Sequence, residues 1–356
     1  MTLSDKAATF LKLHTDPELL VLVNVWDAVS ARVVADAPGC RALATASHSI
    51  AASYGYPDGE QIPLDLMIDA IGRIVAAVDL PVSADLESGY GDVADTVRRA
   101  IGVGAVGANL EDAMRPLDES VAAVSAAVKA GDAAGIRFVL NARTDAFLKA
   151  GDRDPEAVLV DAIERGRAFL DVGAACVFVP GRLDAATVER LVSGIGERKV
   201  SLIGVPGSVP SSELQRLGIA RLSFGPCSQR AVLTALQDLC GELLAGRAPP
   251  AGVRPRKAAI WGSRHCPPRC PRRGVDAALP VSARLVPGVL RLARLARPRS
   301  RVLRRFHSRL PRLRHHVPRP RGWIVRGRIR RAAHVRRVAG GHLGLEFLAA
   351  FQHRAL

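Results

Sequence analysis

The chain has 356 residues, 48% of them hydrophobic, and a formal net charge of +16. That charge is unevenly spread: residues 251–356 hold 26 Arg and one Lys against two acids, leaving 23 basic and 32 acidic residues in 1–250. The first 250 residues therefore read as a mildly acidic globular protein, large enough for a sizeable core. No run of about 18 apolar residues occurs, so no membrane span is predicted, and 1–14 lacks the basic-then-apolar pattern of a secretory signal. The scattered Cys40, Cys176, Cys227 and Cys240 sit in or beside apolar runs, as thiols of a reducing, cytoplasmic compartment do.

In chain order, residues 3–14 predict a short amphipathic helix. Eight repeats of one pattern follow: a short apolar, β-branched run, a polar turn, then a helix-periodic stretch. The predicted strands are 20–25, 42–46, 82–85, 107–111, 138–141, 176–179, 201–204 and 221–224. The predicted helices are 30–37, 64–78, 93–101, 119–133, 155–170, 185–195, 211–217 and 228–244. Strands alternating with helices indicate a parallel α/β fold, and eight units in about 250 residues match a (β/α)8 TIM-type barrel. The glycine-rich run 102–107 precedes a strand instead of following one, which is the wrong order for a dinucleotide loop and fits a tight turn.

In such a barrel, chemistry sits where strands end. Those positions hold Asn24, Trp26 and Asp27; Ser47 and His48; Asp85 and Glu87; Glu111 and Asp112; and Asn141, Arg143 and Asp145. The loops entering the strands are plain turn chemistry. Asp85 and Glu87 point the same way from an extended chain, and Glu111 ends the next strand. Three acids on adjacent strand ends are a hard-oxygen set suited to Mg²⁺, with Mn²⁺ as its substitute. Arg143 offers a planar fork to a substrate carboxylate or developing oxyanion, the alternative being a salt bridge to Asp145 or Glu111. Ser47 and His48 offer a hydroxyl and amides to an anion. Asp27 orients its neighbours or caps the following helix. Residues 53–59, rich in turn signals, are long enough for a lid that contributes Asp58.

The runs NVWDAVSAR (24–32), ATAS (44–47), SADLESGYG (83–91), NLED (109–112) and NARTD (141–145) resemble the isocitrate lyase/phosphoenolpyruvate mutase superfamily. The similarity continues through FVPG (178–181), Pro206-Gly207 and LSFGP (222–226), covering about residues 5–248 in order. The resemblance implies a modified TIM barrel, dimeric or tetrameric, with its eighth helix exchanged between subunits. It implies Mg²⁺ held by Asp85, Glu87 and Glu111, partly through water, and a small 2-oxo or 2-hydroxy acid as substrate. Arg143 then faces the substrate oxygens, Ser47 and His48 line its carboxylate pocket with Trp26, Asp27 and Asn141 nearby, and Asp58 rides a mobile loop. The lyase branch carries a cysteine and a histidine in the loop after the strand-four acids, whereas 112–120 has neither. Glu87 stands where many members have Asp. The implied chemistry is cleavage of a C–C or C–P bond through an enolate, with Tyr90 and Glu119 as candidate proton donors. Decarboxylation or hydrolysis of an oxaloacetate-type acid is the variant that needs no cysteine.

From about residue 252 the periodic pattern stops. The remainder is Arg- and Pro-rich and too charged for a core, and is expected to be a disordered tail. Its preference for Arg over Lys is the composition of a GC-rich coding strand read in a shifted frame. If genuine, it suits nucleic-acid phosphates, which makes a basic interaction protein on a barrel scaffold the competing reading.

Overall fold

The computed structural model describes residues 1–253, so the predicted tail, apart from its first three residues, lies outside the described residues. Helix α1 (Leu3–Thr15) comes first, capped by Thr2, whose hydroxyl accepts the Asp5 amide while Asp5 accepts the Thr2 amide. Nine parallel strands follow: β1 (Leu20–Leu22), β2 (Asn24–Val25), β3 (Leu43–Thr45), β4 (Val82–Asp85), β5 (Gly107–Glu111), β6 (Val139–Arg143), β7 (Cys176–Phe178), β8 (Val200–Ile203) and β9 (Arg221–Ser223). Their order is β1-β9-β8-β7-β6-β5-β4-β3-β2.

β1 and β2 are halves of one strand broken at Val23. The first half pairs with β9 and the second with β3, which closes an eight-stranded cylinder. Asn24 ties the break: its Nδ2 donates to the Thr45 carbonyl at 2.9 Å, and its Oδ1 accepts the Phe224 amide at 2.8 Å. The predicted barrel is therefore the observed one.

The outer helices are α2 (Ala28–Ala35), α3 (Ser47–Ser53), α4 (Leu64–Ala76), α5 (Val93–Gly102), α6 (Leu117–Ala133), α7 (Pro155–Asp171), α8 (Ala185–Ile195), α9 (Ser211–Arg216) and α10 (Cys227–Leu244). All but α3 follow the predicted helices closely. α3 was expected as a rim loop. It is seven residues long and has no side-chain cap, too short for its buried Ile50 and Ala51 to reveal a helical period.

The apolar core lies between strands and helices, with Ile71, Ile74, Val97, Ala100, Leu140 and Phe169 at 0% exposure. α1 closes the bottom of the cylinder by setting Phe10 against the start of β5. Gly107 stands there because a Cβ would lie 2.8 Å from that ring and 2.5 Å from the Val139 carbonyl. The centre of the cylinder is polar. Arg221, fully buried, donates to Asn109 Oδ1 at 3.0 Å and Ser83 Oγ at 3.4 Å, and Asn141 Nδ2 donates to the same Asn109 oxygen at 2.8 Å. No helix among the described residues is long and apolar enough to cross a membrane.

Candidate active site

The C-terminal mouth of the barrel collects the acids. Asp85 ends β4, and its Oδ2 accepts both the amide (2.9 Å) and the hydroxyl (2.8 Å) of Ser47, the first residue of α3. Thr45 Oγ1 accepts the Asp85 amide at 2.8 Å, so β3 aligns this carboxylate from below. Glu87 is 5% exposed. Its Oε2 accepts the Glu60 amide, and its Oε1 accepts the Tyr90 hydroxyl at 3.0 Å. Burial, with the nearby Asp85 charge, pushes the Glu87 carboxyl up to about 7. Glu111 ends β5 and is likewise pushed up to about 7, by burial against the opposing pull of Arg143.

Arg143 ends β6 one strand over, in register with Glu111. Its Nη1 meets Glu111 Oε2 at 2.8 Å, its Nε donates to Asp145 Oδ1 at 2.7 Å, and its guanidinium carbon lies 6.0 Å from the Phe178 ring centre. The salt bridges weighed as the alternative for Arg143 are thus both present, and they fix the plane of the fork. Asp145 is in turn placed by Asp112, whose Oδ1 accepts the Asp145 amide at 3.0 Å and whose Oδ2 meets Arg165 Nη1 at 3.2 Å.

The segment between α3 and α4 carries Asp58 beside His48, with Oδ2 and Nδ1 3.5 Å apart, and His48 holds the Asp58 carboxyl below its usual range. The same segment docks through Glu60, whose Oε1 accepts the amide (3.1 Å) and hydroxyl (2.8 Å) of Ser88 and the amide of Tyr90 (2.7 Å). Glu60 is the functional residue that the sequence reading missed, since it follows the last turn signal of the expected lid. Among the described residues six non-glycine residues have positive φ, and five of them (Glu60, Glu87, Tyr90, Ala113 and Met114) lie in mouth loops. Backbone strain of this kind persists where the surroundings over-determine it. Gly89 turns the chain at φ 101, where a Cβ would clash with Val93 at 2.5 Å.

One expected position needs correction, and two others are placed away from the acids. Asn141 is not on the rim: β6 runs two residues past the predicted end, which leaves Asn141 at 0% exposure inside the cylinder, bonded to Asn109 and Ser201. Of the two roles expected for Asp27, the structure shows the cap: it is exposed at the start of α2, its Oδ1 accepting the Ser30 amide at 2.6 Å, while the Trp26 amide donates to Ser30 Oγ. Glu119 is exposed in the first turn of α6. Tyr90 stays at the mouth, but burial and the Glu87 charge raise the pKa of its hydroxyl, which weakens it as an acid.

Asp85, Glu87 and Glu111 share the mouth but do not form a ready chelate. Among the described residues no three His, Cys, Asp or Glu side chains stand close enough to hold an ion together. Ser47, the Glu60 amide with Tyr90, and Arg143 each engage one of them. The donor chemistry nevertheless fits a hard cation. All three are carboxylates, and the Asp85 charge raises the pKa of both Glu87 and Glu111, a repulsion that a hydrated divalent ion relieves.

Comparison with known proteins agrees with this architecture. A family model described as phosphoenolpyruvate phosphomutase matches residues 10–244. An uncharacterised protein of Mycobacterium tuberculosis is 30% identical over 248 residues, covering 69% of this chain and 92% of its own. A crystal structure from Burkholderia cenocepacia J2315, provisionally named a phosphonomutase, is 41% identical with a TM-score of 0.63, covering 67% of this chain and 99% of its own. Oxaloacetate acetylhydrolase, solved with its product oxalate, is 27% identical with a TM-score of 0.64, covering 73% of this chain and 93% of its own. Other relatives are lyases, among them 2-methylisocitrate lyase of Escherichia coli. With its family model and its closed parallel cylinder in agreement, the chain belongs to the phosphoenolpyruvate phosphomutase family, within the superfamily of lyases and mutases that also holds isocitrate lyase.

Proposed function

We propose that this protein is a Mg²⁺-dependent carbon–carbon lyase or a mutase acting on a small 2-oxo or 2-hydroxy acid, by way of an enolate. The observation that carries the reading is the mouth itself: Asp85, Glu87 and Glu111 stand on adjacent strand ends, with Arg143 locked beside them by Glu111 and Asp145. Asp85, with Glu87 and Glu111 acting through water, would hold the ion, which when bound draws electron density from the substrate's carboxylate and neighbouring oxygen. Arg143 supplies a fixed positive fork for the charge that develops as the bond breaks. Ser47 keeps Asp85 oriented, and Asp58, on the segment between α3 and α4, would act as part of a lid held against His48 of α3.

Oxaloacetate-type hydrolysis or decarboxylation is the second reading. The loop after β5 offers neither cysteine nor histidine, and its Asp112 is 3% exposed and engaged by Arg165. That loop has no group to spare as a proton donor, and the likeness to oxaloacetate acetylhydrolase points the same way. The test is a screen of 2-oxo and 2-hydroxy di- and tricarboxylates with Mg²⁺, reading pyruvate, glyoxylate, oxalate or CO₂. Asp85→Ala is expected to abolish the turnover found. Full activity in that variant, or no turnover of any oxyacid by the intact chain, overturns the reading.

A further inference from the structure

Arg221 of β9 is 0% exposed, and its hydrogen bonds go to two neutral side chains, Asn109 and Ser83. Its Nε is buried and makes no hydrogen bond. A buried cation held in this way costs stability, and a well-packed apolar side chain of similar volume is often as good or better. Fold stability therefore does not account for a guanidinium at this place.

Strand geometry sets it under the acids. Ser83 and Asp85 are two apart in β4, so their side chains leave the same face of the strand. That face is the inner one, where Arg221 Nη1 meets Ser83 Oγ at 3.4 Å. Two residues of parallel strand rise about 6.6 Å, which puts the guanidinium one layer of side chains below the Asp85 carboxylate. The second contact tells the same: Nη2 reaches Asn109 Oδ1 at 3.0 Å, and Asn109 precedes Glu111 by two residues in β5. Two of the three mouth acids thus stand one layer above a single fixed positive charge. The charges feel one another, since burial lowers the Arg221 pKa while Cys176 and then Asp85 raise it.

We propose, resting on the reading of the mouth given above, that Arg221 is a positioning residue acting through space, which holds the affinity of the mouth for Mg²⁺ down and its affinity for the anionic oxyacid up. It touches neither. Its field crosses one dry layer of side chains, where screening is weak, and opposes a cation while favouring an anion. Asp85, Glu87 and Glu111 then do not trap the ion by themselves, and the oxyacid completes the site.

The test is isothermal titration calorimetry of the full chain at pH 8.5, above the values of about 7 for Glu87 and Glu111, so that both are ionised from the start. Mg²⁺ is titrated alone, and oxalate, a small dianion, is titrated at saturating Mg²⁺. Arg221→Met removes the charge; Arg221→Gln removes it but keeps a donor for Asn109. Each is expected to bind Mg²⁺ about tenfold more tightly and oxalate about tenfold more weakly, with Arg221→Lys close to the wild type. A role confined to packing would weaken both ligands or neither, so the opposite signs single out the charge. Neutral variants that bind Mg²⁺ no more tightly, or oxalate no more weakly, overturn the proposal and leave the reading of the mouth standing. Failure of both neutral variants to fold makes the guanidinium structural and overturns it too. A wild-type chain that binds no Mg²⁺ overturns the proposal together with the reading on which it rests.

Discussion

Glu60 and Glu87 grip one another across the barrel mouth: the Glu60 amide donates to Glu87 Oε2, while the Glu60 carboxylate takes the amides of Ser88 and Tyr90 on the turn that follows Glu87. One acid thereby fixes both a neighbouring acid and the backbone beneath it. Glu60→Ala leaves two amides and the Ser88 hydroxyl without their acceptor, at a cost of about 1–3 kcal/mol. A lower melting temperature, faster proteolysis within 54–63 and a higher KM are expected. Unchanged cleavage of that segment counts against Glu60 as its anchor.

Arg165 acts on the mouth at one remove. It neutralises the buried Asp112, which places the Asp145 amide, and Asp145 orients Arg143. Arg165→Met strands a buried carboxylate and is expected to cost about 3 kcal/mol. kcat should fall more than stability explains, with partial rescue by Arg165→Lys. A variant that melts early yet turns over normally makes the role purely structural.

His14 gives the fold an acid limit. Its folded-state pKa of about 3 lies below the ordinary imidazole value of 6.5, because burial penalises the charged ring. The contribution is complete above pH 6.5 and lost as pH falls towards 3, where the unfolded chain alone takes up the proton. Within that window the folded-to-unfolded ratio drops about tenfold per pH unit from this group. Denaturation midpoints measured from pH 7 to 5 should slope down for the wild type and less for His14→Gln.

α10 buries only Gln229 among its eighteen residues, while Val232, Leu233 and Leu236 are each more than half exposed. Apolar side chains grouped on one helix mark an association surface, and we expect a second copy of the chain to cover it, as in a dimer or tetramer. Leu236→Glu should shift the mass measured by light scattering towards the monomer. A wild-type chain that runs as a monomer removes the expectation.

A chain ending at Ala248 separates the two functional readings. If chemistry rests on the barrel, it keeps its turnover, and any retention on immobilised nucleic acid is lost with the 26 arginines beyond. Loss of turnover in a chain that still folds favours the competing reading.

Strand and helix periods made the barrel legible, because eight repeats of one pattern leave few alternatives and strand ends announce themselves as a polar residue after an apolar run. The same logic misplaced Asn141, since a polar side chain inside a cylinder looks, in sequence, like the end of a strand. Arg221 was hidden for the opposite reason: it lies in an apolar run, and nothing local tells that its guanidinium points inwards. Glu60 was invisible because its partners, Ser88 and Tyr90, are 28 and 30 residues away and joined to it only by the fold. The three carboxylates were found by position, but their engagement by Ser47, Glu60 and Arg143 depends on side-chain reach, which spacing does not encode.

The guanidinium at the heart of the cylinder has neutral hydrogen-bond partners, Ser83 and Asn109, and its pKa is pulled down to about 10 by burial. The cylinder therefore holds a buried positive charge beneath its acidic mouth, poorly screened because water is excluded from it. A pull on negative guests is thus built into the scaffold below the acidic rim, which would leave the choice among such guests to the loops above.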